Sequence, residues 1–346
     1  MDAIHTALLL TAVSGYGDMD EAGFPSYEER AVHFWTNAAR VDPAAFRDDY
    51  PCQWTSFQNE EQEPKAPLFY SRPLNEAGRY HSEDMNDEGW FDHDSSPGGE
   101  HPFAGRDFGS RVAYWYTESY TVGENIAWGY TPGFDVVMGG WMCSGGHRAN
   151  IMSDWYNELG TGVAGTYSTQ DFGGGAADTE MNLAMGLHEP GTTTAGSTVD
   201  FYVDYVGPGP SSVVVMLNGV PHDMVLEYGE ENQGVFATTV EIGEGCTEYW
   251  FQALDDEGES AFPQDGSYTV GDCEGVEWVE WQLSPGNMGE DGDEAKNKIP
   301  GWLQWWYDRR DGSESEDEVS ACSSAPANAG WALVLLAGLM AVRRRD

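Results

Sequence analysis

Between Gly123 and Met152 the chain sets two ionisable groups in surroundings that tolerate neither unless it is paired. The stretch reads Gly-Glu-Asn-Ile-Ala-Trp-Gly, then an apolar segment closing on Gly-Trp-Met-Cys, then Ser-Gly-Gly-His-Arg-Ala-Asn-Ile-Met. Glu124 lies in a short apolar run, and His147 follows a glycine pair at the start of a new segment. A polar group taken out of water is stable only when it is hydrogen-bonded or paired. Any fold for this chain must therefore supply partners for Glu124 and His147, either as structural pairs or as members of a site.

The length of 346 residues is a soft prior for two domains. The formal charge of −43 narrows the function classes sharply. Lysine occurs only at Lys65, Lys296 and Lys298. Such a surface repels nucleic acid and anionic lipid, which excludes a nucleic-acid role. Five cysteines occur, at 52, 143, 246, 273 and 322, and none forms a Cys-x-x-Cys pair, which argues against a zinc ribbon or a thioredoxin-like site. Sparse cysteines of this kind suit an exported protein with a few disulfides. Cys246 and Cys273 bracket one strand-rich stretch and so invite pairing, which leaves Cys52 and Cys143 for each other. Spacing alone proves neither pair.

Both ends carry sorting features. Residues 1–16 read as a candidate signal segment: 3–13 are apolar and Ser-Gly-Tyr-Gly follows, although the usual basic start is missing. The competing reading is a buried helical turn. At the other end Cys322 precedes a run of small residues, an apolar stretch and Arg343-Arg344-Arg345. Ala327 to Val342 is 16 residues, short of the ~20 that span a bilayer. Arginines capping such a stretch obey the positive-inside rule. Residues 322–346 resemble a myxobacterial-type C-terminal sorting tail, which implies surface display, a membrane contact through the tail, and Cys322 as a processing or lipid-attachment position. The competing reading is an ordinary tail anchor.

The interior divides by pattern. Residues 27–41 predict an amphipathic helix capped by Ser26 and stopped by Asp42-Pro43. Residues 73–88 predict a second helix opened by Pro73. Leu74, Ala77, His81 and Met85 share one of its faces, so His81 turns to the core side. Residues 134–142 suit a third helix, and 159–165, 167–172 and 181–187 read as short strands. Helices first and strands later give an α+β layered domain. After His188-Glu189-Pro190 several short strands alternate with turns, predicting a small immunoglobulin-like β-sandwich over 190–275. Residues 276–321 read as an acidic linker with a short helix near 300–309, and a C-terminal hydrophobic helix follows.

The chemistry gathers in the first domain. His81-Ser82-Glu83-Asp84-Met85 is followed by His93 in Trp-Phe-Asp-His-Asp and by Arg106 in Phe-Ala-Gly-Arg. Then come Gly-Glu-Asn-Ile-Ala, the Ser-Gly-Gly-His-Arg-Ala-Asn-Ile-Met block, Leu-Gly-Thr-Gly-Val-Ala and Tyr-Ser-Thr-Gln-Asp-Phe-Gly. In this order the blocks resemble the CAP superfamily (cysteine-rich secretory proteins, antigen 5 and pathogenesis-related 1 proteins), in its bacterial branch, across residues 27–187.

The resemblance implies an α-β-α sandwich with a shallow cavity lined by two histidines and acidic residues, which can bind a divalent metal such as Zn2+. Carried over by motif, the candidate metal ligands are His81, Glu124 and His147. The family's second glutamate is missing, because Met142-Cys143-Ser144 follows Trp141. His93 belongs to the bacterial variant and could substitute for it. Imidazole and carboxylate are suitable zinc ligands; the competing reading is that these groups hydrogen-bond one another and hold the sandwich together. Arg106 is expected to pair with a nearby carboxylate, Arg148 to be a surface or paired charge, and Asn150 to cap a helix start. A Cys143–His147 nucleophile pair is disfavoured against a disulfide from Cys143.

Three functions follow. The favoured one is an exported, non-enzymatic module that binds a small apolar molecule, a metal ion or a cell-surface component. The second is a metal-assisted, peptidase-like hydrolase using His81, Glu124 and His147. In the third, an adhesion protein acts through the β-sandwich.

Overall fold

The computed structural model describes residues 25–98, 103–175, 182–191, 193, 196–256, 258–263 and 266–273. The candidate signal segment, the acidic linker and the C-terminal tail with its hydrophobic helix lie outside these residues. Within them the chain forms two compact units, one of residues 31–177 and one that takes residues up to 30 and from 178 onward.

The first helix is α1 (Tyr27–Val41), as the apolar spacing predicts, and its residues from 31 on belong to the first unit. Ser26 and Glu29 form a reciprocal cap: the Glu29 backbone N–H donates to Ser26 Oγ and the Ser26 N–H to Glu29 Oε2. A short strand, β1 (Phe69–Tyr70), leads into α2 (Arg72–Glu88), which has proline in its first turn and ends on Gly89 at φ 58°. That left-handed conformation suits glycine and stops the helix. Next come α3 (Phe108–Trp115), whose N-cap Asp107 accepts from the Ser110 N–H, and β2 (Val122–Trp128). The expected third helix is a π-helical turn, Asp135–Trp141, followed by α4 (Gly145–Ile151). The hairpin β3 (Glu158–Ala164) and β4 (Tyr167–Gly173) completes the unit.

The sheet order is β1-β3-β4-β2, with β1 parallel to β3 and the other pairs antiparallel. Register decides which side chains reach which layer. Glu124 lies opposite Asp171, Asn125 opposite Gln170, and Trp128 opposite Tyr167. Side chains alternate between faces along a strand. The face of Asp171 and Thr169 meets α2, where Ser82 Oγ and Thr169 Oγ1 are 2.9 Å apart. The other face meets α1, where Gln170 Nε2 donates to Thr36 Oγ1 at 2.6 Å. α2 approaches β3 so closely that a Cβ on Gly160 would overlap the backbone of Leu74 and Asn75, and one on Gly162 the backbone of Gly78. Two glycines thus set the depth at which α2, and with it His81, sits on the sheet.

The second unit consists of two largely antiparallel sheets. The first holds β5 (Leu183–Glu189), β6 (Thr198–Val206), β9 (Val225–Glu230) and β10 (Gln233–Glu241) in the order β5-β6-β10-β9. The second holds β7 (Ser212–Leu217), β8 (Val220–Asp223), β11 (Cys246–Leu254) and β12 (Glu259–Phe262) in the order β12-β11-β7-β8. There β13 (Tyr268–Gly271) also pairs with β11. A Cβ on Gly186 of β5 would overlap the Phe251 ring of β11, so this strand approaches the second sheet closely there.

One expectation changes here. The strand read over 181–187 was assigned to the first domain, but it is β5 and pairs with β6 of the second unit. Its alternation reads the same in either sheet, so its partner was not legible locally. The Cys246–Cys273 disulfide forms as expected but ties β11 to the segment just after β13, within one sheet. In antibody domains the bridge runs between sheets instead.

Candidate functional site

The site forms where α3, β2 and the loop after α2 converge. Glu124 is buried on β2. Its Oε1 accepts from His93 Nδ1 at 2.8 Å, and its Oε2 accepts from Arg111 Nη2. Arg111, on α3, is fully enclosed. Its Nη1 also donates to the His93 carbonyl at 3.1 Å and to Ser95 Oγ at 3.2 Å. One guanidinium thus grips both the carboxylate and the loop that delivers the imidazole.

That loop is held at further points. His81 Nε2 bonds the Asp92 carbonyl at 2.9 Å, and Trp90 Nε1 donates to the Asp94 carbonyl at 2.9 Å. Phe91 packs against a stacked pair, Trp128 and Tyr167, whose rings lie 5.7 Å apart and 7° from parallel. All three rings are half-buried. Trp128 lies on the same sheet face as Glu124, four cross-strand pairs along.

α4 is stitched to β2 through backbone carbonyls. Asn150 Nδ2 donates to the Glu124 carbonyl at 3.2 Å and to Asn125 Oδ1 at 2.9 Å, and Asn125 Nδ2 donates to the His147 carbonyl at 3.1 Å. Asn150 lies inside α4 and bridges to the strand, rather than capping the helix start as expected. Arg148 is the paired charge expected, but it is buried: Nε donates to Glu61 Oε2 at 2.9 Å and Nη1 to the Met142 carbonyl at 2.8 Å. Cys143 is bonded to Cys52, which removes the thiol as a nucleophile.

Of the four candidate ligands, His93 and Glu124 are in direct contact. His81 reaches them through the loop backbone, and half-buried His147 senses His93 electrostatically. Burial would raise the Glu124 carboxyl, but Arg111, then His81 and the bond from His93, hold it down at about 2. Burial, followed by the Arg111 charge, lowers His81 to about 3. Burial, then His93, lowers His147 to about 4. Burial works against protonation of His93 too, yet the bond and charge of Glu124 raise it above the ordinary imidazole value.

Two members were not foreseen. Arg111 supplies the guanidinium at Glu124, while Arg106, expected to pair with a nearby carboxylate, is exposed. Asp171 lies opposite Glu124 and is fully buried. Burial, then the Glu124 charge, pushes its carboxyl well above the ordinary value. Reading 122–128 as a strand paired with 167–173 would have placed Asp171 beside Glu124.

As arranged, these residues do not fit a metal ion. Each Glu124 oxygen already accepts one hydrogen bond, one of them from a fixed cation. Among the described residues no group of three or more His, Cys, Asp or Glu side chains is placed to hold a metal.

A layered α/β unit, tied by a disulfide and centred on a buried carboxylate held between imidazole and guanidinium, is the class that fold and site define. Residues 33–174 match the family model described as CAP: Cysteine-rich secretory protein family. Two curated relatives come from Bacillus subtilis (strain 168). The uncharacterized membrane protein YlbC is 34% identical over 107 residues, covering 31% of this chain and 29% of that protein. The uncharacterized protein YkwD is 35% identical over 120 residues, covering 34% and 43%. The chain thus spans less than half the length of the curated relatives it matches. A solved extracellular protein containing a SCP domain, from Bacillus anthracis str. Ames, is 26% identical with a TM-score of 0.31, covering 45% of this chain and 44% of that one.

Proposed function

We propose that this is an exported binding protein whose CAP-type unit receives a small, mainly apolar ligand bearing one hydrogen-bonding group. One observation carries the reading: Glu124 fixes the half-buried His93 imidazole beside the half-buried ring cluster of Phe91, Trp128 and Tyr167. Apolar lining with a few oriented polar groups is the usual composition of a small-molecule site. The disulfide at Cys143 removes the one thiol considered as a nucleophile for covalent catalysis. Export is supported by two disulfides, which persist in oxidising compartments, and by the description of one relative as a membrane protein. The 322–346 tail adds surface display. No helix among the described residues is long and apolar enough to cross a membrane.

Calorimetric titration of the full chain with a long-chain alcohol tests this reading. Saturable binding is expected, lost in Trp128→Ala and weakened in His93→Ala. Binding indifferent to both substitutions would sink the proposal. So would Glu124-dependent hydrolysis of a peptide or ester substrate.

A further inference from the structure

We propose that Arg111 is the resident cation of this site and keeps divalent metal ions off Glu124. The resemblance implies zinc at His81, Glu124 and His147, with His93 in support, but the geometry places a guanidinium where the metal's charge would act. Glu124 offers two oxygens; one accepts from Arg111 and the other from His93. A metal ion would have to displace one of these donors or take a remaining lone pair directly beside the guanidinium charge. Arg111 cannot leave without also releasing the His93 carbonyl and Ser95 Oγ, and its side chain is fully enclosed. A second cation beside it would meet a like charge in a poorly screened interior, where repulsion is strong.

The remaining donors are suited to a metal in every respect but convergence. His81 Nε2 is fixed by the Asp92 carbonyl, which leaves Nδ1 buried without a hydrogen-bond partner. An outer partner on one ring nitrogen and a free lone pair on the other is the usual setting of a metal-binding histidine. Glu124 would complete such a set if its oxygen were released. Removing the charge of Arg111 while keeping its bulk frees a Glu124 oxygen and lets Glu124 and His81 relax towards one another, which should create a metal site that the native arrangement lacks. This holds whichever ligand the site receives.

The test is calorimetric titration of zinc chloride into the full chain as wild type, Glu124→Gln, Arg111→Met and the Arg111→Met/Glu124→Gln double variant. Wild type and Glu124→Gln should give the same weak isotherm from the acidic surface. Arg111→Met should gain one site, about tenfold or more tighter, that is absent from the double variant. A tight site in the wild type that disappears in Glu124→Gln overturns the proposal. So does a folded Arg111→Met variant that gains no Glu124-dependent site. Should Arg111→Met fail to fold, the wild-type and Glu124→Gln comparison decides alone: matching isotherms uphold the proposal and a Glu124-dependent site refutes it.

Discussion

Arg111 and Glu124 form an ion pair whose side chains are 0% and 1% exposed. Removing one partner of such a pair strands a charge in the interior and costs about 3–5 kcal/mol. Glu124→Ala and Arg111→Met should each lose stability on that scale. The Arg111→Met/Glu124→Gln pair should lose clearly less than the sum of its single variants, because no charge is left alone. A double-mutant cycle by urea denaturation reads the difference, and additive losses would show that the two groups are not coupled.

Gly162 and Gly146 make a matched comparison. A Cβ at Gly162 would overlap the Gly78 backbone of α2, whereas nothing lies within 4 Å of one at Gly146. Gly162→Ala must push a helix off a strand and should cost about 2 kcal/mol or more. Gly146→Ala, in the first turn of α4, should be neutral or stabilise by up to about 1 kcal/mol. Chemical denaturation of the two variants side by side checks this ordering.

Acid should unfold the first unit through several groups acting together. Glu124, held down at about 2, contributes stability that is complete above its ordinary value of 4.5 and is lost as pH falls towards 2. His81 and His147, held at about 3 and about 4, stay neutral in the fold. Their unfolded forms take up protons below about 6.5, so stability falls as pH drops from there. Asp171 acts in the opposite sense. Its carboxyl is raised by burial and then by Glu124, so the stability it contributes is present at low pH and is lost as pH rises. Asp171→Asn should therefore stabilise the protein near neutral pH and lose that advantage below the ordinary carboxyl range. Scanning calorimetry across pH distinguishes this from a variant that is equally stable, or less stable, at every pH.

The Cys52–Cys143 bond joins residues 91 apart in sequence. It ties the segment before Glu61 to the start of α4, where Arg148 and Glu61 add an ion pair at 2.9 Å. Replacing both cysteines by serine should cost about 2–4 kcal/mol. Native protein should resist thiol alkylation at Cys143 until it is reduced. Alkylation of Cys143 in unreduced native protein would contradict the pairing.

Local pattern made the helices over 27–41 and 73–88 legible, because apolar residues recur there with helical spacing and Ser26, Asp42-Pro43 and Pro73 mark ends. His93 and Glu124 were legible as ionisable groups in distinctive blocks, and they do meet. Arg111 was not legible. It lies in a short helix 13 residues before Glu124 in sequence, and only the packing of α3 beside β2 brings it to the carboxylate. Asp171 was hidden for a similar reason: strand alternation gives its face, but its neighbour depends on register. The fate of β5 shows the same limit, since a strand's pattern states that it has a buried face and not which sheet buries it.

The central claim is that the Glu124 carboxylate is committed to Arg111 and His93. A crystal of the full chain soaked in zinc and recorded at the zinc absorption edge tests it most directly. Arg111 Nη2 and His93 Nδ1 should remain on the two Glu124 oxygens, with no anomalous peak between the imidazoles. A zinc peak coordinated by Glu124 and two of His81, His93 and His147, with Arg111 displaced, would contradict it.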